Sequence, residues 1–445
     1  MRTPLIAIIC AVLAANGVSA ATEANKPNIV LILMDDMGWR DAGYLGRKYF
    51  QTPCIDALAR EGMVFTNAYA NSPECSPTRA CLISGQYTPR HGVYMVRNPT
   101  APDPAKTKLI PPRSSLRVSG KLLPTALKQA GYVTGFFGKW HHQPRPQAGK
   151  DGMWDVAYDQ NSGGIAPDPA SDPKRMESLT RMAKDFVGRH HDKPFFLYLS
   201  HNAPHRPIEA YAETIAEFKK RRPLLQADRP EYAAMMADAD ACIGQVVECI
   251  DRQGLAERTA IFFFSDNGGL TAFTTNLPLR SGKGRYYEGG IRVPMIIRWP
   301  GRIAAGSTCD VPVISTDFYP TFLDLAGADK PDNHTLDGVS LLPLLKGQTA
   351  YENRALFWHM PVYNVFGVKP CSIVRQGNHK LIQWFEDERF ELFDLSTDIG
   401  ERHNLVGSEL EMAAHMRRLL AEWQSKITAP LPKSRSPEED YSKAL

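Results

Sequence analysis

A series of short, continuously apolar segments constrains the fold of this chain more than any other feature of its sequence. Strands with one face in water alternate apolar and polar residues, whereas continuous runs of this length are typical of strands buried on both faces of a sheet. Between the runs, apolar residues recur at helical spacing. This alternation predicts an α/β fold with a large, mostly parallel sheet sandwiched by helices. The apolar runs are residues 29–34, 132–137, 195–199, 260–264 and 295–297, and the helical patterns are residues 119–130, 176–188 and 231–253.

The pattern changes in the last hundred residues. Short strand-like pieces at 355–358, 372–374, 381–384 and 390–395 are followed by a helical pattern at 408–426. We therefore expect a catalytic domain over residues 21–345 and a smaller subdomain over residues 346–445, with an antiparallel sheet and a terminal helix. Residues 429–445 are rich in proline, serine and charge, and are expected to form a frayed tail.

The first twenty residues have the pattern of a signal peptide. Arg2 is followed by an apolar stretch at 5–15, and Val18-Ser19-Ala20 forms a small-x-small cleavage site. The apolar stretch is too short for a membrane anchor, and no later segment approaches the roughly 18–20 apolar residues that a membrane span needs. We therefore expect export to the periplasm or the extracellular space, with cleavage near Ala20.

Charge and cysteine content narrow the function further. The chain has 52 Lys and Arg against 48 Asp and Glu, without a dense basic block, which argues against a nucleic-acid partner. Of its eight cysteines, Cys10 lies in the predicted signal peptide, so seven remain in the exported chain. An odd number in an exported protein indicates that at least one cysteine has a role other than pairing.

Polar side chains follow several of the predicted buried strands. In open α/β sheets, ligands bind at the carboxyl ends of the strands, so these side chains are candidates for one shared site. The carboxylate and amide groups suit a hard cation such as Ca²⁺ or Mg²⁺ better than zinc. Taken singly, each group could equally cap a helix or form a tight turn. The groups are Asp35-Asp36, residues 138–141, Pro204-His205 and Asp266-Asn267.

The segment from Pro73 to Gly85 predicts a short helix that begins close to a cysteine. Pro77 suits the first turn of a helix, and Ser84-Gly85 suits its end. Cys75 then lies at the N-terminus, where free N–H groups favour bound anions. A buried or disulfide-bonded cysteine is the alternative interpretation.

The ordered set of these motifs resembles the type I, formylglycine-dependent sulfatase family of the alkaline-phosphatase-like superfamily. The resemblance extends over nearly the whole exported chain. One small departure is Ser281, where the family often has glycine, and no consequence is expected from it. The matching motifs are residues 28–38, the Cys75 signature, residues 138–141, Pro204-His205, residues 265–268, 282–284, 288–290, 292–294, 391–395 and Asn404-Leu405.

The resemblance implies a mechanism and a set of site residues. A maturation enzyme would oxidise Cys75 to formylglycine. One oxygen of its hydrate would attack the sulfate ester and displace the alcohol, and collapse of the sulfated hydrate to the aldehyde would then expel sulfate. The metal ligands would be Asp35, Asp36, Asp266, Asn267 and modified Cys75, which would hold one divalent cation, most often Ca²⁺. Arg79 and Lys139 would keep this set in register, Lys283 and His205 would bind sulfate and assist the leaving group, and His141 would act as base for the elimination.

We therefore expect a sulfatase that acts on a sulfated carbohydrate, such as a polysaccharide or glycosaminoglycan. A phosphoester or phosphonate hydrolase of the same superfamily and a non-catalytic carbohydrate-binding relative are the alternatives. Two-metal phosphatases need a second Asp- and His-rich ligand set that the sequence does not provide, and a non-catalytic relative would lack part of the site. Candidates for substrate recognition are residues 98–113, 143–168 and 359–363, with Arg145, Trp154, His359 and Tyr363.

Overall fold

The computed structural model describes residues 26–97, 108–115, 117–160, 168 and 170–434. The predicted signal peptide, residues 98–107 and 161–167 of the candidate recognition ranges, and residues 435–445 of the predicted tail lie outside the described residues. The strands are β1 Asn28–Met34, β2 Met63–Phe65, β3 Ala68–Tyr69, β4 Leu109–Ile110, β5 Val133–Gly138, β6 Val156–Asp159, β7 Phe195–Ser200, β8 Thr259–Ser265, β9 Met295–Arg298, β10 Ser307–Cys309, β11 Val313–Ile314, β12 Ala355–Met360, β13 Cys371–Gln376, β14 His379–Trp384, β15 Phe390–Asp394 and β16 Lys433–Ser434.

The helices alternate with these strands over the first three hundred residues. Short 3₁₀ helices cover Gly43–Leu45, Pro173–Arg175, Ala256–Arg258 and Ser315–Asp317. The α-helices are α1 Pro53–Glu61, α2 Cys75–Ser84, α3 Thr88–His91, α4 Leu123–Gln129, α5 Met176–His190, α6 Ala212–Lys219, α7 Pro230–Arg252, α8 Glu288–Ile291, α9 Phe318–Ala326, α10 Leu342–Leu345 and α11 Leu410–Lys426.

The large sheet has eight strands in the order β10-β2-β9-β8-β1-β7-β5-β6. The pairs β8–β1, β1–β7, β7–β5, β5–β6 and β10–β2 are parallel, and only β9 runs against its neighbours. The five apolar runs of the sequence form β1, β5, β7, β8 and β9, so the prediction of a mostly parallel sheet is confirmed.

Both faces of this sheet are covered by helices. The side chains of β1 divide between two hydrophobic clusters, which explains why the strand is apolar at every position. Helices α2, α4 and α9 contribute to the first cluster, and α1, α5 and α7 to the second. Ile29, Leu31 and Leu33 belong to the first cluster, and Val30, Ile32 and Met34 to the second.

The C-terminal strands form a separate antiparallel sheet in the order β12-β13-β14-β15. Helix α11 packs against this sheet through Ala413, Met416 and Leu420. This arrangement agrees with the predicted small sheet and terminal helix. Within the predicted tail, Lys433–Ser434 pairs with Leu109–Ile110 in a two-stranded ladder.

A buried ionic cluster joins helix α8 to the C-terminal sheet. Lys380 Nζ of β14 lies 2.9 Å from Glu288 Oε1 and 2.8 Å from Glu401 Oε1. Two carboxylates thus share one ammonium group. Burial raises the pKa of Glu401 to about 7, whereas Lys380 and the nearby arginines Arg292 and Arg375 outweigh burial and lower the pKa of Glu288.

All seven cysteines among the described residues are free thiols. No helix in this part of the chain is long and apolar enough to cross a membrane.

Candidate active site

The site lies where the central strands end. Asp35 and Asp36 follow β1, Lys139 follows β5, and Asp266 follows β8. The main chain ties these ends together, since the Asp35 N–H donates to Ala203 O at 3.0 Å and the Asp266 N–H donates to Met34 O at 3.1 Å. Because β8, β1, β7 and β5 are neighbours in the sheet, their polar ends meet at one edge.

Three buried carboxylates in this edge are each paired with a cation. Lys139 Nζ lies 2.6 Å from Asp35 Oδ2, and Lys283 Nζ lies 2.6 Å from Asp36 Oδ1. The Asp266 carboxylate is held by the Arg79 guanidinium, with Nη2 at 2.7 Å from Oδ2. Burial alone would raise the pKa of Asp35, but Lys139 and the other nearby cations hold it well below its usual range.

Asp36 and Asn267 are oriented by each other and by the main chain. Asn267 Nδ2 donates to Asp36 Oδ1 at 2.8 Å, and the Asp36 N–H donates to Asp266 Oδ1 at 3.1 Å. The φ of Asp36 is 68°, in the left-handed region that few non-glycine residues adopt. Asn267 Oδ1 is buried and has no hydrogen-bond partner. An unpaired buried oxygen is costly, so it is a candidate ligand atom.

Cys75 is the first residue of α2, as the proline and glycine positions predict. Its Sγ lies 3.3 Å from Asp35 Oδ1, 3.7 Å from Asp36 Oδ1 and 3.4 Å from Lys283 Nζ. The helix ends at Gly85, whose φ of 67° places it in the left-handed conformation. Burial raises the pKa of the Cys75 thiol well above its usual value.

Arg79 lies one turn further along α2 and contacts the residues of the site from the side away from the cleft. Besides Asp266, its Nη1 donates to Lys139 O at 2.7 Å and to Ser200 Oγ at 2.6 Å. The guanidinium therefore connects the ends of β8, β5 and β7.

A cleft of about 400 Å³ opens onto Cys75. Five of the six predicted catalytic residues line it, whereas Arg79 lies beneath it. The lining residues are Cys75, Val96, Arg97, Lys139, His141, His205, Arg206, Leu270, Lys283, Val365 and Phe366.

The two histidines of the cleft differ in which ring nitrogen has a hydrogen-bond partner. His205 Nδ1 donates to Arg206 O at 2.5 Å, while Nε2 lies 3.7 Å from Asp36 Oδ2. His141 Nδ1 is buried without a partner. Burial, together with the charges of Lys139 and Arg79, lowers the pKa of His141 well below its usual value. The neutral imidazole is the form that accepts a proton.

The geometry groups possible metal ligands differently from the predicted set. Ligand atoms of Asp35, Asp36, Cys75 and His205 lie within 4.8 Å of one another. Asp266 and Asn267 adjoin this group through Asp36. His205, which the sequence analysis assigns to sulfate binding, thus also lies within reach of a cation at this position.

Several residues of the cleft were not predicted from the sequence. Arg97, Arg206 and Leu270 belong to no motif, and Val365 and Phe366 lie just beyond the candidate range 359–363. The proposed recognition residues lie elsewhere: His359 and Trp154 are buried, Arg145 is ion-paired with Asp159, and Tyr363 donates to Glu386.

Comparisons with known proteins identify the family of the chain. A family model described as Sulfatase matches residues 27–328. The chain belongs to the sulfatase family. Sulfatases are sulfuric ester hydrolases, and this sulfatase also matches, over residues 282–426, a model described as N-sulphoglucosamine sulphohydrolase, C-terminal.

Three relatives show how far the similarity of this sulfatase extends. A protein named Sulfatase from Formosa agariphila is 32% identical, over 92% of this chain and 90% of the relative. The N-acetylgalactosamine-6-sulfatase of Mus musculus is 31% identical, over 92% of this chain and 83% of its own. The solved structure of Ps i-CgsB in complex with k-i-k-neocarrahexaose has a TM-score of 0.77 and 29% identity, covering 93% of this chain and 96% of its own.

Proposed function

We propose that this sulfatase hydrolyses a sulfate ester on a sulfated carbohydrate, such as a polysaccharide or glycosaminoglycan, with Cys75 converted to formylglycine. The carbohydrate substrate is supported by the relatives, of which one is named for N-acetylgalactosamine and another was solved with a neocarrahexaose. The observation that carries the proposal is the position of Cys75. It begins a helix, contacts Asp35 and Lys283 through its Sγ, and faces the cleft.

The residues around Cys75 fit one divalent cation, for which Ca²⁺ is the first candidate. Asp35, Asp36 and Asp266 offer carboxylate oxygens, and Asn267 Oδ1 is buried without a hydrogen bond. Hard cations prefer such oxygen ligands. When bound, the cation supplies positive charge that polarises the sulfate oxygens.

The balance of charges around Cys75 also fits one divalent cation together with a bound sulfate ester. The three carboxylates are already matched by Arg79, Lys139 and Lys283. A divalent cation would therefore leave the site with an excess of two positive charges, which favours a bound anion such as a sulfate ester.

Each remaining residue has a defined task in the proposal. Hydrated formylglycine at position 75 supplies the oxygen nucleophile. Lys283 and His205 line the cleft, where they bind the sulfate oxygens and stabilise or protonate the departing oxygen. Lys139 and Arg79 keep the carboxylates of Asp35 and Asp266 in position through their ion pairs. His141 is neutral and has a free Nδ1. It takes the proton from the remaining hydroxyl group of the hydrate, and loss of this proton allows sulfate to be expelled.

The first experiment tests the nucleophile. Protein made together with a formylglycine-generating enzyme should carry the aldehyde mass on the peptide that contains Cys75, and should release sulfate from an aryl sulfate. Cys75→Ala should abolish release, whereas Cys249→Ala, a control at a partly exposed cysteine on α7, should not. Full activity with an unmodified cysteine would refute the mechanism.

The second experiment tests the reaction class. Rates on matched aryl sulfate and aryl phosphate esters should favour the sulfate clearly. A preference for phosphate would instead support the phosphoester or phosphonate hydrolase alternative.

The third experiment tests the cation. Asn267→Ala removes the unpaired oxygen and should weaken Ca²⁺ binding to the metal-free protein by at least about 10-fold in calorimetry. Asn353→Ala, at an exposed asparagine away from the cleft, serves as the control. Unchanged Ca²⁺ affinity in Asn267→Ala would remove Asn267 from the ligand set.

We also propose that the chain is exported and cleaved near Ala20, with a catalytic domain over residues 21–345 and a subdomain over residues 346–445. The positive charge of Arg2, the apolar stretch after it and the small-x-small cleavage site support export. Mass spectrometry of the N-terminus of secreted protein should find the mature chain starting near Ala21.

A further inference from the structure

The cleft contains two arginines that the proposed reaction does not use. Lys139 and Lys283 are each paired with a carboxylate, as described above. Arg97 and Arg206 line the same cleft, are exposed, and form no ion pair or side-chain hydrogen bond within the described part of the chain. Arg97 acts only through space on the buried Glu74, whose carboxylate accepts from Val96 N–H. Both guanidinium groups line the cleft and, among the described residues, have no side-chain partner that a ligand would need to displace.

An apolar wall stands beside these arginines. Val365 and Phe366 belong to the loop between β12 and β13 of the C-terminal sheet, and Val365 is 48% exposed. The exposed Val365 and the half-buried Phe366 at the rim of a charged cleft suit the apolar face of a sugar ring.

The position of Phe366 is fixed by its neighbours. Asn364 Oδ1 accepts from Phe366 N–H at 3.0 Å, and Asn364 Nδ2 donates to Gly284 O at 2.7 Å. A Cβ atom at Gly284 would lie only 2.2 Å from Phe366 Cδ2, so the ring packs directly on the main chain after Lys283. The aromatic wall is thus held next to a residue that contacts Cys75.

The size of the cleft is also greater than one sulfate group requires. Its volume of about 400 Å³ falls within the range of roughly 300–1,000 Å³ that is typical of sites for whole small-molecule ligands. Arg97, Arg206 and Phe366 line this cleft together with Lys139 and Lys283.

We propose that Arg97 and Arg206 form a second anion subsite, which binds an additional anionic group of the substrate while the Phe366 ring contacts the sugar. The proposal rests on the proposed function and narrows its substrate class. The preferred substrate carries, besides the sulfate that is removed, a second sulfate or a carboxylate close to it. Arginine suits either group, because its planar guanidinium donates two parallel hydrogen bonds to such anions.

The catalytic test compares substrates that differ in one charge. The variants are Arg97→Gln and Arg206→Gln, with Arg418→Gln as a matched control at an exposed arginine of α11. The substrates are the monosulfated saccharide on which the wild type is fastest, the same saccharide with a second sulfate, the same saccharide linked to a uronate, and a simple aryl sulfate.

We expect each cleft variant to lower kcat/KM about 10-fold on the two doubly anionic saccharides. On the monosulfated saccharide and the aryl sulfate, the change should stay within about 2-fold. Arg418→Gln should match the wild type throughout. If only the disulfated or only the uronate substrate responds, the subsite is specific for that anion. An equal loss on all four substrates, or no loss on any, would overturn the proposal.

A binding measurement separates this subsite from the reaction itself. Sucrose octasulfate, a small polyanionic saccharide, is titrated into protein made without the maturation enzyme, with sucrose as the uncharged control. Arg97→Gln and Arg206→Gln should weaken its binding about 10-fold, and Arg418→Gln should not. Arginine-dependent binding without sulfate release from any ester would keep the subsite and refute the proposed function. If the protein releases sulfate but neither binding of the octasulfate nor kcat/KM depends on Arg97 or Arg206, the proposed function stands and the anion subsite is refuted.

Discussion

Ser281, two residues before Lys283, has a φ of 64°, in the left-handed region that glycine adopts at little cost. Its carbonyl accepts from Asn276 Nδ2 at 3.0 Å, which fixes the turn that leads to Lys283. From the sequence, no consequence is expected of serine at this position. The backbone conformation shows that serine here carries a cost that glycine would avoid.

Ser281→Gly should therefore raise the free energy of unfolding by about 0.5 to 1 kcal/mol, the strain relieved less the extra freedom of the unfolded chain. Urea unfolding measures the change. Gly284→Ala, at a φ of 84° and with its Cβ only 2.2 Å from Phe366, should destabilise instead. A Ser281→Gly protein no more stable than the wild type would contradict this interpretation.

Single residues of the site differ in how far the sequence predicts them. Asp35 and Asp266 were predictable, because each follows a continuous apolar strand and such ends meet at one sheet edge. Arg97 and Arg206 were not, because an arginine in a loop carries no pattern of its own. Only the three-dimensional arrangement shows that both line the cleft, with no carboxylate ion-paired to either among the described residues.

At the scale of elements, α2 depends on its C-terminal glycine. Gly85 ends the helix with a φ of 67°, and an added Cβ would lie 2.6 Å from Leu336 Cδ2 and 2.9 Å from Tyr319 Cβ. A substitution there would meet both backbone strain and crowding in the core. Because α2 carries Cys75 and Arg79, its fixed end also supports the site.

Gly85→Ala should lower the free energy of unfolding by about 2 to 4 kcal/mol, combining left-handed strain with overpacking. Gly347→Ala isolates the first contribution, since Gly347 has a similar φ of 69° and nothing within 4 Å of an added Cβ. It should cost only about 0.5 to 1 kcal/mol, because the lower freedom of the unfolded chain offsets part of the strain. Equal losses in urea unfolding would show that Leu336 and Tyr319 adjust freely.

Strands were predicted more accurately than helix ends. A strand buried on both faces is apolar at every position, and few other elements of this length share that pattern. Helix α4 begins at Leu123 rather than at residue 119, because Gly120 has a φ of 90° and Pro124 occupies the first turn. The helical spacing of apolar residues begins before the helix itself, whose start is set by the local backbone conformation.

At the scale of the whole molecule, Glu288, Lys380 and Glu401 link helix α8 of the larger part of the chain to the C-terminal sheet. The pKa of Glu401 is raised to about 7 from a usual value near 4.5. Between these values the folded protein holds a proton that the unfolded chain has released. The free energy of unfolding therefore falls as the pH rises through this window.

This effect should amount to at most about 3 kcal/mol between pH 5 and 8. Glu401→Gln, which mimics the protonated form, should flatten the pH dependence of stability in urea unfolding. Glu422→Gln on the exposed side of α11 should keep the wild-type slope. An unchanged slope in Glu401→Gln would assign the pH dependence to other groups.

The arrangement of the whole chain was predictable in outline. Alternating strands and helices predicted the mostly parallel sheet, and the later short strands predicted the second sheet. The strand order and the loop after β12 that reaches the cleft could not be read from local patterns, because both depend on contacts between distant segments. Phe366 is the clearest example, since it lies more than eighty residues from Gly284, on which it packs.

The loop at 364–366 has a consequence for how enzymes of this kind diversify. It forms one wall of the cleft but supplies none of the groups proposed to bind the cation or the scissile sulfate. Under the proposed contact with the sugar ring, substitutions at the exposed Val365 should alter which saccharides are accepted without removing a group that acts on the sulfate. Grafting this loop between sulfatases should then transfer saccharide selectivity.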